Sequence, residues 1–242
     1  MTTAIIRTEV TMKKNQKITR RDFMAAAGGT LVAIGLPGVF VKLMDSENRA
    51  IAAELRPDGR PRIPPGQHAV EALPNMGGTR GAKSVSDWRL EIGGEVENPL
   101  TLKFADLMDL RQVDLTCDVH CVTGWTLLDS RWRGIPITVL MDLVKVKASA
   151  RFVIFEAAGD YSSNIPLSEA RKDNVILAHG YSGSDLPAVH GAPLRGLVPD
   201  RYFYKSVKWL KAISFVSVDE PGYYETGGYS NSADPWMEER YD

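Results

Sequence analysis

Cysteine is scarce in this chain: Cys117 and Cys121 are the only two among 242 residues. An exported domain held together by disulfides usually has more, so an apolar core must supply the stability, and 44% hydrophobic residues is adequate for one. The sequence has no G-x-x-x-x-G-K-[ST] phosphate loop, and no G-x-G-x-x-G follows a predicted strand. The order Cys117-x-x-His120-Cys121 is the reverse of the haem-attachment order C-x-x-C-H. The phosphate-loop, dinucleotide-binding and c-type haem classes are therefore not supported.

An excess of positive charge is also missing. Residues 1–52 hold eight of the 29 Lys and Arg but only four of the 30 Asp and Glu, so the remaining 190 residues carry a net charge of −5. A nucleic-acid-binding domain needs a basic face. No internal repeat is visible, and no apolar run after residue 52 is long enough to span a membrane. We predict one domain of ordinary size and no nucleic-acid partner.

The first 52 residues are typical of an export signal. Thr19-Arg20-Arg21-Asp22-Phe23-Met24 is a twin-arginine sequence, and an apolar stretch of 17 residues, 25–41, follows it. Ala50-Ile51-Ala52 supplies small residues at the spacing that a signal peptidase reads. We therefore predict cleavage before Ala53 and a periplasmic or otherwise exported protein. The alternative is an uncleaved membrane anchor, although Gly and Pro interrupt the stretch and crossing a bilayer takes roughly 20 residues.

The rest of the chain divides into an extended arm rich in Pro and Gly (53–87), a domain (88–219) and an irregular tail (220–242). Alternating apolar and polar residues or short β-rich runs predict strands, and apolar residues on one face predict helices. The predicted strands are 88–94, 115–122, 151–157, 175–178 and 206–218; the predicted helices are 101–110, 135–144 and 168–171, with a loop between residues 122 and 132. Strands mixed with short, unevenly spaced helices predict an α+β fold.

Three interpretations compete for Cys117, His120 and Cys121. The two thiols are simply buried or form a disulfide, the three residues contribute to a zinc site, or Cys121 is a single thiolate ligand to a metal held mostly by an organic cofactor. A strand over 115–122 would place Cys117 and Cys121 on one face about 13 Å apart at roughly 3.3 Å per residue. That separation exceeds the disulfide limit near 7 Å.

Several blocks resemble the sulfite oxidase family. Cys121-Val-Thr-Gly-Trp125 followed by Trp132-Arg-Gly-Ile-Pro136 is similar to its molybdenum-binding region. Other similar blocks are Pro64-Pro-Gly-Gln67, Trp88-Arg-Leu-Glu-Ile-Gly-Gly-Glu-Val-Glu-Asn-Pro-Leu100, Tyr161-Ser-Ser-Asn-Ile-Pro166 and His190-Gly-Ala-Pro-Leu-Arg195, the last followed by Val198-Pro199 and Lys205-Ser-Val-Lys-Trp-Leu210. The resemblance covers residues 62–219 and implies a sulfite-oxidase-type molybdopterin-binding domain with mixed β structure and short helices. It also implies a molybdenum–molybdopterin cofactor.

The resemblance implies a role for each site residue. Cys121 would be the protein's thiolate ligand to molybdenum, and Tyr161 would face the metal. A fork of donors such as that of Arg195 suits an anionic phosphate, and His190, Arg195, Lys205 and Ser206 would hold the pterin and its phosphate. His120 would either support the metal centre as a neighbour of the ligand or be a plain loop histidine, and Cys117 is interpreted as structural.

The resemblance also bears on the reaction, a two-electron oxygen-atom transfer by an exported oxidoreductase. Sulfite oxidases carry an arginine five residues after the ligand cysteine, where this chain has Thr126. This difference favours reduction of a small or protein-borne S- or N-oxide. The alternatives are a sulfite dehydrogenase, for which Arg80, Arg89 or Arg133 would restore the charge, and a non-enzymatic or zinc-binding exported domain. The matched region includes no haem domain, so we expect electrons from a separate membrane haem protein or soluble cytochrome.

Overall fold

The computed structural model describes residues 54–76 and 84–242. Within them lie eleven strands, three short α-helices and four 3-10 turns. The strands are β1 His68–Val70, β2 Arg89–Gly94, β3 Leu100–Lys103, β4 Val113–His120, β5 Trp125–Pro136, β6 Phe152–Ala157, β7 Ser162–Pro166, β8 Ile176–Tyr181, β9 Ser184–Asp185, β10 Arg195–Leu197 and β11 Leu210–Val216; the helices are α1 Phe104–Met108, α2 Ile137–Val144 and α3 Leu167–Ala170.

The strands form two sheets. The first has the order β1-β5-β8-β10, with β4 also paired to β5 and β9 to β8; the second has the order β3-β2-β11-β6-β7. Most pairs are antiparallel, but β1 runs parallel to β5 and β11 runs parallel to β2. This mixed pairing with few helices matches the predicted α+β class.

The main core lies between the second sheet, α2 and the ends of β5 and β8. Leu90 and Ile92 alternate inward along β2 and belong to one cluster with Phe215 of β11 and Phe155 of β6. Helix α2 contributes the buried residues Ile137, Leu140, Met141 and Val144. A smaller cluster around Trp125, Leu127 and Trp132 packs against the first sheet, directly beside Cys121.

The predicted loop between residues 122 and 132 is wrong, because β5 begins at Trp125 and, at 12 residues, is the longest strand in the described part of the chain. Its buried residues pair with β4 in a hairpin. The connecting turn is tight: the N–H of Gly124 donates to the Cys121 carbonyl, and Gly124 has φ +101°, which glycine adopts without strain. Cys121 is therefore held at the tip of a hairpin between two strands.

Three other element boundaries differ from the sequence prediction. The helix expected over 101–110 is shorter, because Thr101 and Leu102 pair with β2 before α1 begins. The strand expected over 206–218 begins at Leu210, since a 3-10 turn, Phe203–Lys205, and a positive φ at Trp209 precede it. The arm, predicted as extended, also contains a strand that was not predicted, because β1 joins the first sheet.

The predicted twin-arginine signal, its cleavage site and Arg80 lie outside the described residues. Among the residues that the structure describes, no helix is long and apolar enough to cross a membrane.

Candidate active site

A cavity of about 510 Å³ opens beside the tip of the β4–β5 hairpin. Five residues predicted for the site line it together: Cys121, Tyr161, His190, Arg195 and Ser206. They come from separate parts of the chain, and the two sheets and the segments after β8 and β10 bring them together. This volume lies within the range of about 300–1,000 Å³ that is usual for ligand sites.

Cys121 is a free, buried cysteine on the cavity wall. Its backbone is fixed from three sides: its N–H donates to the Trp125 carbonyl, and its carbonyl accepts from Gly124 and from the side-chain amide of Gln67. The Thr123 hydroxyl lies 3.2 Å from the sulfur and donates to it. The turn therefore presents one oriented sulfur to the cavity.

Arg195 supplies positive charge to the same cavity. Its guanidinium donates to the carbonyls of His190, Ser206 and Gly196 and packs over the ring of Phe203 at 4.3 Å. Among the residues that the structure describes, no carboxylate forms an ion pair with it. Burial lowers the pKa of Arg195 from its ordinary value, and the charge of this residue is not neutralised by a protein anion. An anionic ligand would supply the missing negative charge.

His190, Ser206 and Lys208 complete the polar side of the wall. Burial, followed by the charges of Arg195 and Lys208, lowers the pKa of His190, so this side chain is neutral at pH 7. The Ser206 hydroxyl accepts from the N–H of Val198. Lys208 donates to the carbonyls of Val189 and Met76, and burial together with Arg195 lowers its pKa to about 8. This polar side of the cavity is therefore rich in hydrogen-bond donors, which suit an anion.

Tyr161 lines the cavity from the start of β7. Its hydroxyl donates to the Tyr204 carbonyl at 2.5 Å, and burial raises its pKa well above the ordinary value. The phenol is therefore protonated at neutral pH, and its ring faces the space that Cys121 borders.

Two predicted site residues do not line the cavity. His120 is fully buried; its Nδ1 lies 2.9 Å from the Thr126 hydroxyl, and its ring packs edge-on against Trp236. Burial lowers the pKa of His120 to about 3, so the ring is neutral. Lys205 is also buried, and its ammonium binds Glu225 at 2.5 Å and Asn164 at 2.8 Å.

The positions considered for sulfite binding lie elsewhere as well. Thr126 is buried against His120 and does not line the cavity. Arg89 donates to the carbonyls of Ser86 and Trp88, and neither Arg89 nor Arg133 lines the cavity.

Cys117 borders a different cavity from Cys121, although a regular strand would place both on one face. The register of β4 against β5 shifts between Cys117 and Val119. Cys117 consequently faces a smaller cavity of about 300 Å³, and burial raises its pKa to about 12. Within the described residues, no group of three His, Cys, Asp or Glu side chains could hold a metal ion, so Cys117, His120 and Cys121 do not form a zinc site.

One side of the cavity is aromatic, which was not predicted from the sequence. Tyr204, from the turn after β10, and Tyr224 and Tyr229, from the tail, all line it. Leu73 and Met76 of the arm also contribute. The one signal available was the density of tyrosines in the tail, but the spacing of those residues gives no periodicity that would place them at a site.

A molybdenum–pterin cofactor fits the residues present. Cys121 offers a single soft sulfur, which suits a metal whose other ligands come from an organic group. Arg195 offers a buried charge bonded only to carbonyls and a ring, which suits the phosphate of the pterin. His190, Ser206 and Lys208 add donors to the same wall.

Comparison with known proteins identifies the family. The family model described as "Oxidoreductase molybdopterin binding domain" matches residues 77–224. YuiH of Bacillus subtilis (strain 168), described as an uncharacterized oxidoreductase, is 35% identical over 182 residues, which are 74% of this chain and 92% of the relative. The protein-methionine-sulfoxide reductase catalytic subunit MsrP of Burkholderia mallei (strain ATCC 23344) is 26% identical over 275 residues, covering 94% of this chain and 80% of MsrP.

The fold is similar to that of a solved structure, the sulfane dehydrogenase SoxCD from Paracoccus pantotrophus. The TM-score is 0.53 at 19% identity, and the match covers 80% of this chain and 57% of that one. The sulfite-oxidase-type α+β fold predicted from the sequence is thereby confirmed. A non-enzymatic domain is set aside, because the family consists of oxidoreductases. The chain belongs to the sulfite oxidase family of molybdopterin-binding oxidoreductases, and it is similar to MsrP.

Proposed function

We propose that this chain is an exported oxidoreductase that reduces a small or protein-borne S- or N-oxide by two-electron oxygen-atom transfer. The observation that carries the proposal is the pairing, in one cavity, of the free Cys121 sulfur with the buried guanidinium of Arg195. A redox metal held by one protein sulfur and an anionic organic cofactor needs both features.

Cys121 is the proposed protein ligand to molybdenum, and Arg195, His190 and Ser206 are the proposed pterin-binding residues. When bound, the molybdenum cofactor supplies the oxygen-atom and electron chemistry. The protein orients the sulfur through Gln67 and the Gly124 turn. His120 acts behind this turn through Thr126, and Lys205 acts through Glu225, so we propose positioning roles for both.

The proposed substrate is a neutral oxide. The overall reaction consumes two electrons and two protons and converts a sulfoxide to a sulfide and water. The relatives named as protein-methionine-sulfoxide reductase subunits support this choice, and the aromatic side of the cavity suits an organic substituent better than an inorganic anion. A sulfite dehydrogenase remains the second candidate, because Arg195 and Lys208 give the cavity positive charge.

Electrons would come from a separate partner, and the proposed location is the periplasm. The name of MsrP as a catalytic subunit supports a second, electron-supplying protein. The twin-arginine sequence supports export of the folded protein.

Elemental analysis of protein made in a host that synthesises the cofactor tests the proposal. We expect about one molybdenum per chain, lost in Cys121→Ser and retained in Cys117→Ser, because Cys117 faces the other cavity. Sulfoxide reduction by the loaded protein with a reduced viologen as electron donor should follow the metal content. Absence of molybdenum from the parent protein would overturn the proposal, and oxidation of sulfite without reduction of sulfoxides would favour the second candidate.

A further inference from the structure

We propose that Tyr224 and Tyr229 of the tail determine substrate selectivity, by binding an apolar or aromatic substituent carried next to the oxide group. The inference rests on the proposed function, and it adds the residues that choose among oxides.

The two rings form one wall of the cavity that contains Cys121. Their centroids lie 5.0 Å apart, and the ring of Tyr204 lies 5.9 Å from Tyr224 and 5.6 Å from Tyr229. Tyr161 continues the wall, 5.5 Å from Tyr224. Four aromatic rings thus meet in tilted or edge-to-face pairs, an arrangement that leaves ring faces available to an apolar group.

The wall is held rigidly although it comes from an irregular segment. Glu225, next to Tyr224, accepts hydrogen bonds from Lys205 and from Ser163, and all three side chains are buried. The Tyr204 hydroxyl donates to the Ser230 carbonyl just after Tyr229. Gly228, with φ +92°, lets the chain fold back so that the Tyr229 N–H donates to the Tyr224 carbonyl. A preformed wall binds without an ordering cost.

The two sides of the cavity differ in chemistry. Arg195, Ser206 and Lys208 lie on the polar side, which the proposed cofactor would occupy with its phosphate. The side formed by the tyrosines is then the part of the cavity open to the substrate. The match to the family model ends at residue 224, so Tyr229 comes from a part of the chain outside the matched region. A feature outside the shared domain is suited to distinguishing one substrate from another.

Selectivity is measured as the ratio of kcat/KM for methyl phenyl sulfoxide to that for dimethyl sulfoxide, with a reduced viologen as electron donor. The aromatic substituent reaches the tyrosine wall, whereas the small methyl groups leave most of it uncovered. We expect Tyr229→Leu and Tyr224→Leu to lower this ratio about three- to tenfold, as expected for loss of aromatic contacts. Tyr229→Phe keeps the ring and should keep the ratio.

Met237→Ala is the control, because Met237 also lies in the tail, is 72% exposed and does not line the cavity. It should leave the ratio unchanged. Equal ratios in the parent, Tyr224→Leu and Tyr229→Leu, with all of them active, would overturn the inference and leave the proposed function intact. A parent protein that reduces neither sulfoxide would overturn the proposed function instead.

Binding of a sulfone separates recognition from turnover. Methyl phenyl sulfone resembles the sulfoxide but is not reduced in this assay, and Trp209 on the cavity wall supplies a fluorescence signal. Tyr229→Leu should weaken its binding about three- to tenfold while leaving dimethyl sulfone unaffected. Unchanged binding of the aromatic sulfone to a folded Tyr229→Leu protein would also contradict the proposed role of the tyrosines in selectivity.

Discussion

Lys208 shows how burial tunes a single charge in the cavity. Because burial and Arg195 lower its pKa to about 8, Lys208 is mostly charged at pH 7 and mostly neutral at pH 9. We expect the affinity of the cofactor-free protein for sulfate to fall as the pH rises from 7 to 9, since the charge of sulfate is constant over this range. Isothermal titration calorimetry measures the affinity at each pH.

The variant Lys208→Met should bind sulfate more weakly at pH 7 and lose most of the pH dependence. Lys211→Met is the matched control, because Lys211 is 44% exposed and lies near Glu156 on the surface. A parent protein whose affinity stays constant between pH 7 and 9 would contradict the assigned pKa.

For individual residues, the sequence could predict which residues belong to the cavity but not the directions of their side chains. Cys121, His190 and Arg195 stand in blocks that resemble a known family, and they do line the cavity. His120 is next to Cys121 in the chain, yet it is the last residue of β4 whereas Cys121 begins the turn, and its ring packs against Trp236 behind the turn. Lys205 also does not line the cavity, because its ammonium donates to Glu225, 20 residues later in the chain.

Among the elements, the contact between β5 and β8 depends on one glycine. A Cβ at Gly134 would lie 2.3 Å from the Leu177 carbonyl oxygen, where the register between the two strands shifts. Gly134→Ala must push the strands apart, and overpacking of this kind costs about 1–3 kcal/mol. We expect a lower midpoint in urea unfolding. Gly93→Ala, in β2 with no atom within 4 Å of the added carbon, is the control. Equal midpoints for the two variants would show that the strands yield freely at Gly134.

The elements that the sequence predicted best are those with a strong local pattern. Alternation identified β2, and the segment 135–144, with Pro136 near its first turn, was identified as the helix α2. The hairpin strand β5 was missed because the segment 125–131 includes Thr, Asp, Ser and Arg, whose partners are supplied by β4 rather than by local periodicity. The short helix α1 was overextended because Thr101 and Leu102 carry a helical pattern that pairing with β2 overrides.

Across the whole molecule, contacts between distant segments build the cavity. Gln67 of the arm bonds Cys121, 54 residues later, and the Trp236 indole of the tail donates to the Pro61 carbonyl, 175 residues earlier. Arg60 packs over the same indole at 3.9 Å. Such partners lie too far apart in the chain for a local pattern to join them, so the arm was predicted only as an extended segment and the tail only as an irregular one.

The Lys205–Glu225 ion pair is another contact between distant segments, and it attaches the tail to the domain. Both side chains are 1% exposed, and the pair ties the turn after β10 to the segment that holds Tyr224. Glu225→Leu or Lys205→Met leaves one charge buried without its partner, and such losses cost about 3–5 kcal/mol. The double variant Lys205→Met/Glu225→Leu leaves no charge and should recover most of that loss. Urea unfolding of the four proteins gives the coupling free energy. If the single losses simply add in the double variant, the pair does not act as a unit, and the tail is held by its other bonds through Asn164, Asp219 and Asn231.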